Sequence, residues 1–453
     1  MNHNTGCKLD KEVSLKYAIE KLGDATVLSP LGLSLLNGDG IANFIEDSKR
    51  IVVDANFSNW HQYHESGKEP DTFEAAGPRE KIFFDPATVR AAIVTCGGLC
   101  PGLNDVIRAL VMTLHYRYGV RDILGVRYGY RGMTLHYGGT AIPLTPELVV
   151  DIHTRGGTFL GSSRGPQSVV EMVDFLQRRS INMLFTLGGD GTIRGAIEIA
   201  EESRKRNLNI SVVGIPKTID NDIAFIDRSF GFSSAVAKAK EIIDAAHAEA
   251  RGAPYGIGLV KLMGRRSGFI AARASLASGD VNCVLVPEVK FELDGNNGFF
   301  KWLETRLEQR HHALIVAAEG AGEDLMANKN NTRETDASGN VRLVDIGIFL
   351  KDEINEHFKK LSRDVTLKYF DPSYLIRSTT ANAEDSVFCS ELAQHAVHAA
   401  FSGRTAMLIG TWNNHFVHLP MSLTISKRKT LDPDGLEWLS VVENTGQPPR
   451  MTN

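Results

Sequence analysis

The pattern of apolar and polar positions changes texture at Ala91. Residues 1–88 are weakly periodic and polar, with aromatic and histidine clusters such as Trp60-His61-Gln62-Tyr63-His64, and they read as an N-terminal extension packed onto the body. From Ala91 onward, short unbroken apolar runs recur at residues 91–95, 182–187, 210–215, 256–262 and 313–318, each stopping at a glycine turn or a polar loop. Runs of this length, without alternation, fit strands buried on both faces. Between them lie stretches of helical composition. One is expected to begin near Asp105, one covers residues 194–204, and the alanine-rich amphipathic stretch 233–250 has Ser233 or Ser234 as its N-cap. Residues 322–340, rich in Asn, Asp and Gly, read as one long loop.

Strands that alternate with helices predict an α/β protein whose sheets are mostly parallel and joined by right-handed crossovers. Two such units in succession predict two doubly wound, Rossmann-like lobes with the active site in the cleft between them. Every polar motif lies directly after a predicted strand, where ligands of open α/β sheets bind.

Composition narrows the partners. The 453 residues allow about three domains. The 50 lysines and arginines against 54 acids leave a net charge of -4, which gives no electrostatic footprint for nucleic acid. No apolar run reaches the ~20 residues of a membrane-spanning helix, so no membrane partner is expected, and a phosphorylated ligand must be met by local cations. The 5 cysteines, odd in number and scattered, argue against a disulfide framework. With no signal-peptide pattern at the N-terminus, a cytoplasmic protein is expected.

Three motifs carry chemistry. Cys96-Gly97-Gly98-Leu99-Cys100-Pro101-Gly102-Leu103-Asn104 joins a strand to a helix. Glycines let backbone N–H groups approach an anion and the helix N-terminus adds partial positive charge, although turn geometry alone could also explain the motif. Cys96 and Cys100 lack a second pair and do not read as metal ligands. In Gly188-Gly189-Asp190-Gly191-Thr192 the backbone can hug phosphates while Asp190 holds Mg²⁺. That motif suits several kinase types, including those acting on NAD and on diacylglycerol. In Pro216-Lys217-Thr218-Ile219-Asp220-Asn221-Asp222, two carboxylates two residues apart in an extended loop would project to one side. One could accept a hydroxyl proton and the other support the metal, with Lys217 as a point charge for a transferring phosphoryl group.

In this order, and together with Gly157-Thr158-Phe159-Leu160-Gly161-Ser162-Ser163-Arg164, Met263-Gly264-Arg265, Glu319-Gly320 and Asp371-Pro372-Ser373-Tyr374-Leu375-Ile376-Arg377, these motifs resemble the 6-phosphofructokinase family from about Ala91 to Trp412. The combination looks most like the branch of plant and kinetoplastid ATP-dependent enzymes related to pyrophosphate-dependent ones. The resemblance implies transfer of the γ-phosphoryl group of Mg·ATP to the 1-hydroxyl of fructose 6-phosphate, often in an allosteric homotetramer. Gly98, Arg164, Gly165, Gly189, Asp190, Gly191 and Thr192 would contact ATP, with Asp190 on the Mg²⁺ side. Asp220 would be the base, with Lys217, Thr218 and Arg265 serving the transferring phosphoryl group. Ile219, Met263, Gly264, Arg265 and Glu319 would border the sugar, and Lys368, Tyr374 and Arg377 would hold the 6-phosphate. The implied lobes are residues 89–232 for ATP, completed by about 376–425, and residues 233–375 for fructose 6-phosphate, completed by about 426–453.

Two positions depart from the family pattern. Bacterial-type members place a neighbouring subunit's arginine on the 6-phosphate where this chain has Gly256, with Tyr255 beside it, and Arg266 follows the Met-Gly-Arg element. Gly191 favours ATP, because pyrophosphate-dependent relatives carry an aspartate there that would repel the nucleotide α-phosphate. Two other readings stay open: pyrophosphate as donor, and a catalytically silent nucleotide-binding subunit.

Overall fold

A computed structural model describes residues 15–137, 141–326 and 343–453. Two sheets organise them. Strands Asp122–Val126, Arg90–Thr95, Met183–Gly188, Ser211–Pro216 and Met407–Trp412 lie side by side and parallel. Antiparallel neighbours extend this sheet at both edges: Ala141–Pro143 on one side, and His415–Pro420, Thr72–Ala75 and Arg50–Val52 on the other. The smaller sheet has the order Cys283–Leu285, His312–Ala318, Gly256–Leu262, Thr366–Phe370, all parallel.

The unbroken apolar runs are explained by burial on both faces of each sheet. Along Arg90–Thr95, Ala91 and Ile93 enter one core while Ala92 and Val94 enter another. Along Gly256–Leu262, Val260 and Leu262 point into the first core and Ile257 and Leu259 into a third. That first core is common to both sheets, so the lobes are joined by continuous apolar packing rather than by a linker. Among the described residues no helix is long and apolar enough to cross a membrane.

Several element boundaries differ from the sequence reading. Ser233 and Ser234 do not cap the helix Phe232–Arg251; its N-cap is Gly231, at φ +87°. The serine hydroxyls go instead to the neighbouring helix Ala383–Phe401, Ser233 to Glu384 and Ser234 to Asp385, both at 2.6 Å. The helix expected over 194–204 starts earlier, as Asp190–Lys205, so Asp190 stands in its first turn. The helix expected near Asp105 is Leu103–Met112. Of the loop read over 322–340, Glu323–Met326 is helical and residues 327–342 lie outside the described residues.

The stretch read as an extension is more than packed on. Besides the two strands it gives the large sheet, it brings in acids for a buried ion cluster. Glu74 accepts from Arg404, from Arg79 Nη2 at 3.1 Å and from His418 Nδ1 at 2.9 Å, while Asp47 accepts from Arg79 Nε and Arg404 Nη2, both at 2.7 Å. These partners hold the Glu74 carboxyl far below the usual carboxylate range against the opposing cost of its burial.

Candidate active site

In the large sheet, Arg90–Thr95 leads to Asp122–Val126 on one side and to Met183–Gly188 on the other. The chain therefore changes winding direction between Arg90–Thr95 and Met183–Gly188, and their carboxyl ends open a crevice. The turn 96–102 and the segment 188–192 occupy it. Gly97, at φ +85°, donates its N–H to Ser163 O at 3.0 Å and accepts from Ser162 Oγ at 2.6 Å, which staples the 157–164 segment to the turn. Arg164 lies against Gly98, where a β-carbon would stand 3.1 Å from Nη2; Gly165 follows at φ +89°. Lys217 is buried and donates to Gly98 O at 2.6 Å, and burial pushes its ammonium below the usual lysine range. Burial also pushes the Cys96 thiol up to about 12, so it stays a neutral core group.

At Gly188 a β-carbon would meet Thr192 Oγ1 at 2.0 Å, so only glycine lets the strand turn this tightly into the helix. Thr192 is itself buried, its side chain against Gly188 and its carbonyl accepting from Tyr130 Oη at 2.8 Å. Gly189 caps the helix. A β-carbon at Gly191 would have nothing within 4 Å, so the space beside the helix start is open.

The loop after Ser211–Pro216 is not extended. Asn221 takes φ +54° and accepts from Ser229 N–H at 3.0 Å, while Thr218 Oγ1 donates to Asp222 Oδ1 at 2.9 Å and accepts from Asp220 N–H at 3.1 Å. Thr218 thus fixes both acids. Ile219 has its side chain in the core, which leaves its backbone for a ligand. Asp220 Oδ1 is buried with no hydrogen-bond partner. Burial first, then the Asp222 and Glu319 carboxylates, push the Asp220 pKa up to about 7 against the opposing pull of Arg377 and Arg428.

The small sheet supplies the other wall. Ser267 Oγ donates to Asp220 O at 3.0 Å, tying the loop after Gly256–Leu262 to the large-sheet loop. In that loop Gly264 has φ +125°, and a β-carbon at Gly320 would stand 1.9 Å from Arg265 O, so the 263–267 and 319–320 segments nest against each other. Glu319 is held above the usual carboxyl range by burial, opposed by Arg377, Arg265 and Lys261. Arg377 lies against buried Met263, its Nε 3.2 Å from Sδ.

Asp220, Met263, Arg265, Glu319 and Arg377 therefore meet at the junction of the lobes. Two candidates are less engaged: Tyr374 is 83% exposed, and Lys368 is exposed in mid-strand opposite Gly258. Tyr255 and Gly256 stand at the end of their strand remote from Leu262, and Arg266 is exposed.

One residue at the site escaped the sequence reading. Arg428 donates to Asp190 Oδ2 and to Asp222 Oδ2, each at 2.7 Å. Its only signal is the basic run Lys427-Arg428-Lys429 beyond the last motif, a pattern that ordinarily marks a solvated surface. Among the described residues no group of three or more His, Cys, Asp or Glu could hold a metal by itself. Two carboxylates sharing one cation nevertheless fit Mg²⁺, which keeps several waters and takes further oxygens from substrate phosphates.

Residues 90–400 match the family described as Phosphofructokinase. The chain is 48% identical over 450 residues to the ATP-dependent 6-phosphofructokinase of Borreliella burgdorferi, covering 98% of this chain and 99% of that one. It is 49% identical over 386 residues to ATP-dependent 6-phosphofructokinase 7 of Arabidopsis thaliana, covering 85% and 79% respectively. Among solved structures it is similar to the phosphofructokinase of Pichia pastoris in the T-state, with a TM-score of 0.62 and 21% identity over 79% of this chain and 36% of that one. It is also similar to the pyrophosphate-dependent phosphofructokinase of Marinobacter aquaeolei, with a TM-score of 0.65 and 18% identity over 81% and 93%. At these identities the two structures speak for the fold.

Proposed function

The chain belongs to the phosphofructokinase family, and on that premise we propose that it transfers the γ-phosphoryl group of Mg·ATP to the 1-hydroxyl of fructose 6-phosphate, giving fructose 1,6-bisphosphate and ADP, a step of glycolysis. The observation that carries this reading is Asp220, a carboxylate with a buried, unpartnered oxygen at the point where loops of both sheets meet.

In this reading the large-sheet lobe, residues 89–232 completed by about 376–425, binds ATP along the 96–102 turn, Arg164, Gly165 and the start of the helix Asp190–Lys205. Open space at Gly191 admits the nucleotide. The small-sheet lobe, residues 233–375 completed by about 426–453, binds the sugar. Asp190 and Asp222 would hold the Mg²⁺ that accompanies ATP, and that ion would neutralise phosphate charge. Asp220 takes the proton of the 1-hydroxyl, and a base poised near neutral pH suits that task. Lys217 and Arg265 put positive charge where the transferring group passes, and Thr218 keeps Asp220 and Asp222 in register. Glu319 accepts hydrogen bonds from sugar hydroxyls. Arg377 meets the 6-phosphate with a two-pronged guanidinium; Tyr374 and Lys368, which the family resemblance also assigns to that phosphate, are both exposed. The expected cytoplasmic homotetramer belongs to the same proposal, and light scattering on the purified chain tests the assembly.

Phosphorus NMR of the full chain with fructose 6-phosphate and Mg·ATP tests the reaction. A new 1-phosphate ester formed together with ADP is expected. ADP and inorganic phosphate without that ester would overturn the proposal.

A further inference from the structure

The contacts of Arg428 are not those of a surface arginine. A single guanidinium joins acids from two different strand-end segments: Nη2 to Asp190 Oδ2 and Nη1 to Asp222 Oδ2, both at 2.7 Å. The second oxygen of Asp222 is taken by the Thr218 hydroxyl at 2.9 Å, so the acid is fixed from both sides. The backbone that delivers the arginine is anchored as well. Arg428 makes an antiparallel bridge with Ile223, and Lys429 N–H donates to Asp222 O at 3.0 Å. Lys429 Nζ donates to Asp227 O at 2.7 Å, and Leu431 N–H donates to Glu288 Oε1 at 2.8 Å.

We propose that Arg428 is a placeholder for the metal: a positioning residue that neutralises Asp190 and Asp222 while the nucleotide is absent, and that leaves their oxygens when Mg²⁺ takes them. A carboxylate oxygen that accepts from a guanidinium cannot also coordinate a cation in the same direction. Two facing carboxylates with no cation between them would repel, and the guanidinium offsets that repulsion and holds both aimed at one point. Arg428 is therefore a brake on metal binding to the nucleotide-free enzyme. The brake is released most easily when the metal arrives with phosphates, because these offer the displaced guanidinium a new bidentate partner. The inference rests on the phosphoryl-transfer reading for the nature of the incoming cation.

The test is the affinity of the full chain for Mn²⁺ alone, without nucleotide or sugar, read from the electron paramagnetic resonance signal of free Mn²⁺. Arg428→Gln is expected to bind Mn²⁺ at least about tenfold more tightly than the unmodified chain, the worth of displacing one of the two charge-assisted hydrogen bonds that Arg428 makes. Lys427→Gln removes a neighbouring charge that lies over the Phe225 ring and is expected to leave Mn²⁺ affinity unchanged. If Arg428→Gln does not fold, Arg428→Lys replaces it, because one ammonium cannot span both acids; a gain of a few-fold is then expected. Unchanged or weaker Mn²⁺ binding in the folded Arg428 variant would overturn the proposal, and so would an equal gain in Lys427→Gln. Either failure is separable from the phosphorylation reading, since ester formation is measured on the unmodified chain.

Discussion

Replacing Asp220 by asparagine should disable the enzyme and at the same time stabilise it. The side chain keeps its shape but can neither take a proton nor carry charge. Loss of a general base costs typically ~10²- to 10⁴-fold, so kcat should fall by about that factor with a much smaller change in ATP binding. The stability effect follows from the raised pKa, which moves from the ordinary 3.8 to about 7 in the fold. Between those two values the folded protein binds more protons than the unfolded chain, so the wild type loses stability as pH rises from about 4 to about 7. At about 1.36 kcal/mol per unit, the ionised carboxylate costs on the order of 4 kcal/mol above pH ~7. Asparagine has no such titration. The stability of Asp220→Asn relative to wild type should therefore grow by roughly 2–3 kcal/mol between about pH 5 and pH 8. Thermal midpoints of both proteins across that range, without ligands, give the sign. An Asp220→Asn protein whose midpoint lies below that of wild type at pH 8, or whose kcat is near normal, would refute the reasoning.

Because the base must be ionised to act, kcat/KM should rise as pH increases through about 7, the value to which burial and the neighbouring acids push Asp220; a flat profile from pH 6 to 8 would remove it as the base. Arg377→Ala should raise KM for fructose 6-phosphate far more than KM for ATP; equal effects on both would mean a disturbed lobe arrangement, and no effect on either would place the phosphate clamp elsewhere. Gly191→Asp fills open space with negative charge, so it should depress ATP use strongly while leaving the thermal midpoint near that of wild type. Glu74→Gln removes the buried carboxylate that Arg79 and Arg404 share and leaves them only the more exposed Asp47, which should cost about 3–5 kcal/mol in denaturant unfolding; a change below about 1 kcal/mol would show the cluster to be dispensable.

The strands and the convergence of their loops were legible because a parallel strand buried on both faces leaves an unbroken apolar run, and Gly256–Leu262 was read to the residue. What failed was local. The hydroxyls of Ser233 and Ser234 look like caps until a second helix, remote in sequence, offers Glu384 and Asp385. Residues 50–52 pair with residues 72–74, and this pair joins the rest of the large sheet only through Val417 and His418, more than 300 residues away, a pairing that no local pattern announces. Arg428 was missed for the same reason. A basic triplet is uninformative until the fold brings it to two acids, whereas Asp220 and Glu319 follow strands that periodicity does reveal, and Arg377, in the short helix Ser373–Ser378, was found only through the family motif that contains it.

A donor exchange decides whether ATP supplies the phosphoryl group transferred to fructose 6-phosphate. The purified full chain is supplied with fructose 6-phosphate at saturating Mg²⁺, once with ATP and once with pyrophosphate, and the initial rate of fructose 1,6-bisphosphate formation is measured. Faster turnover with ATP than with pyrophosphate is expected, because the space beside Gly191 is open to a nucleotide. Faster turnover with pyrophosphate than with ATP would contradict it.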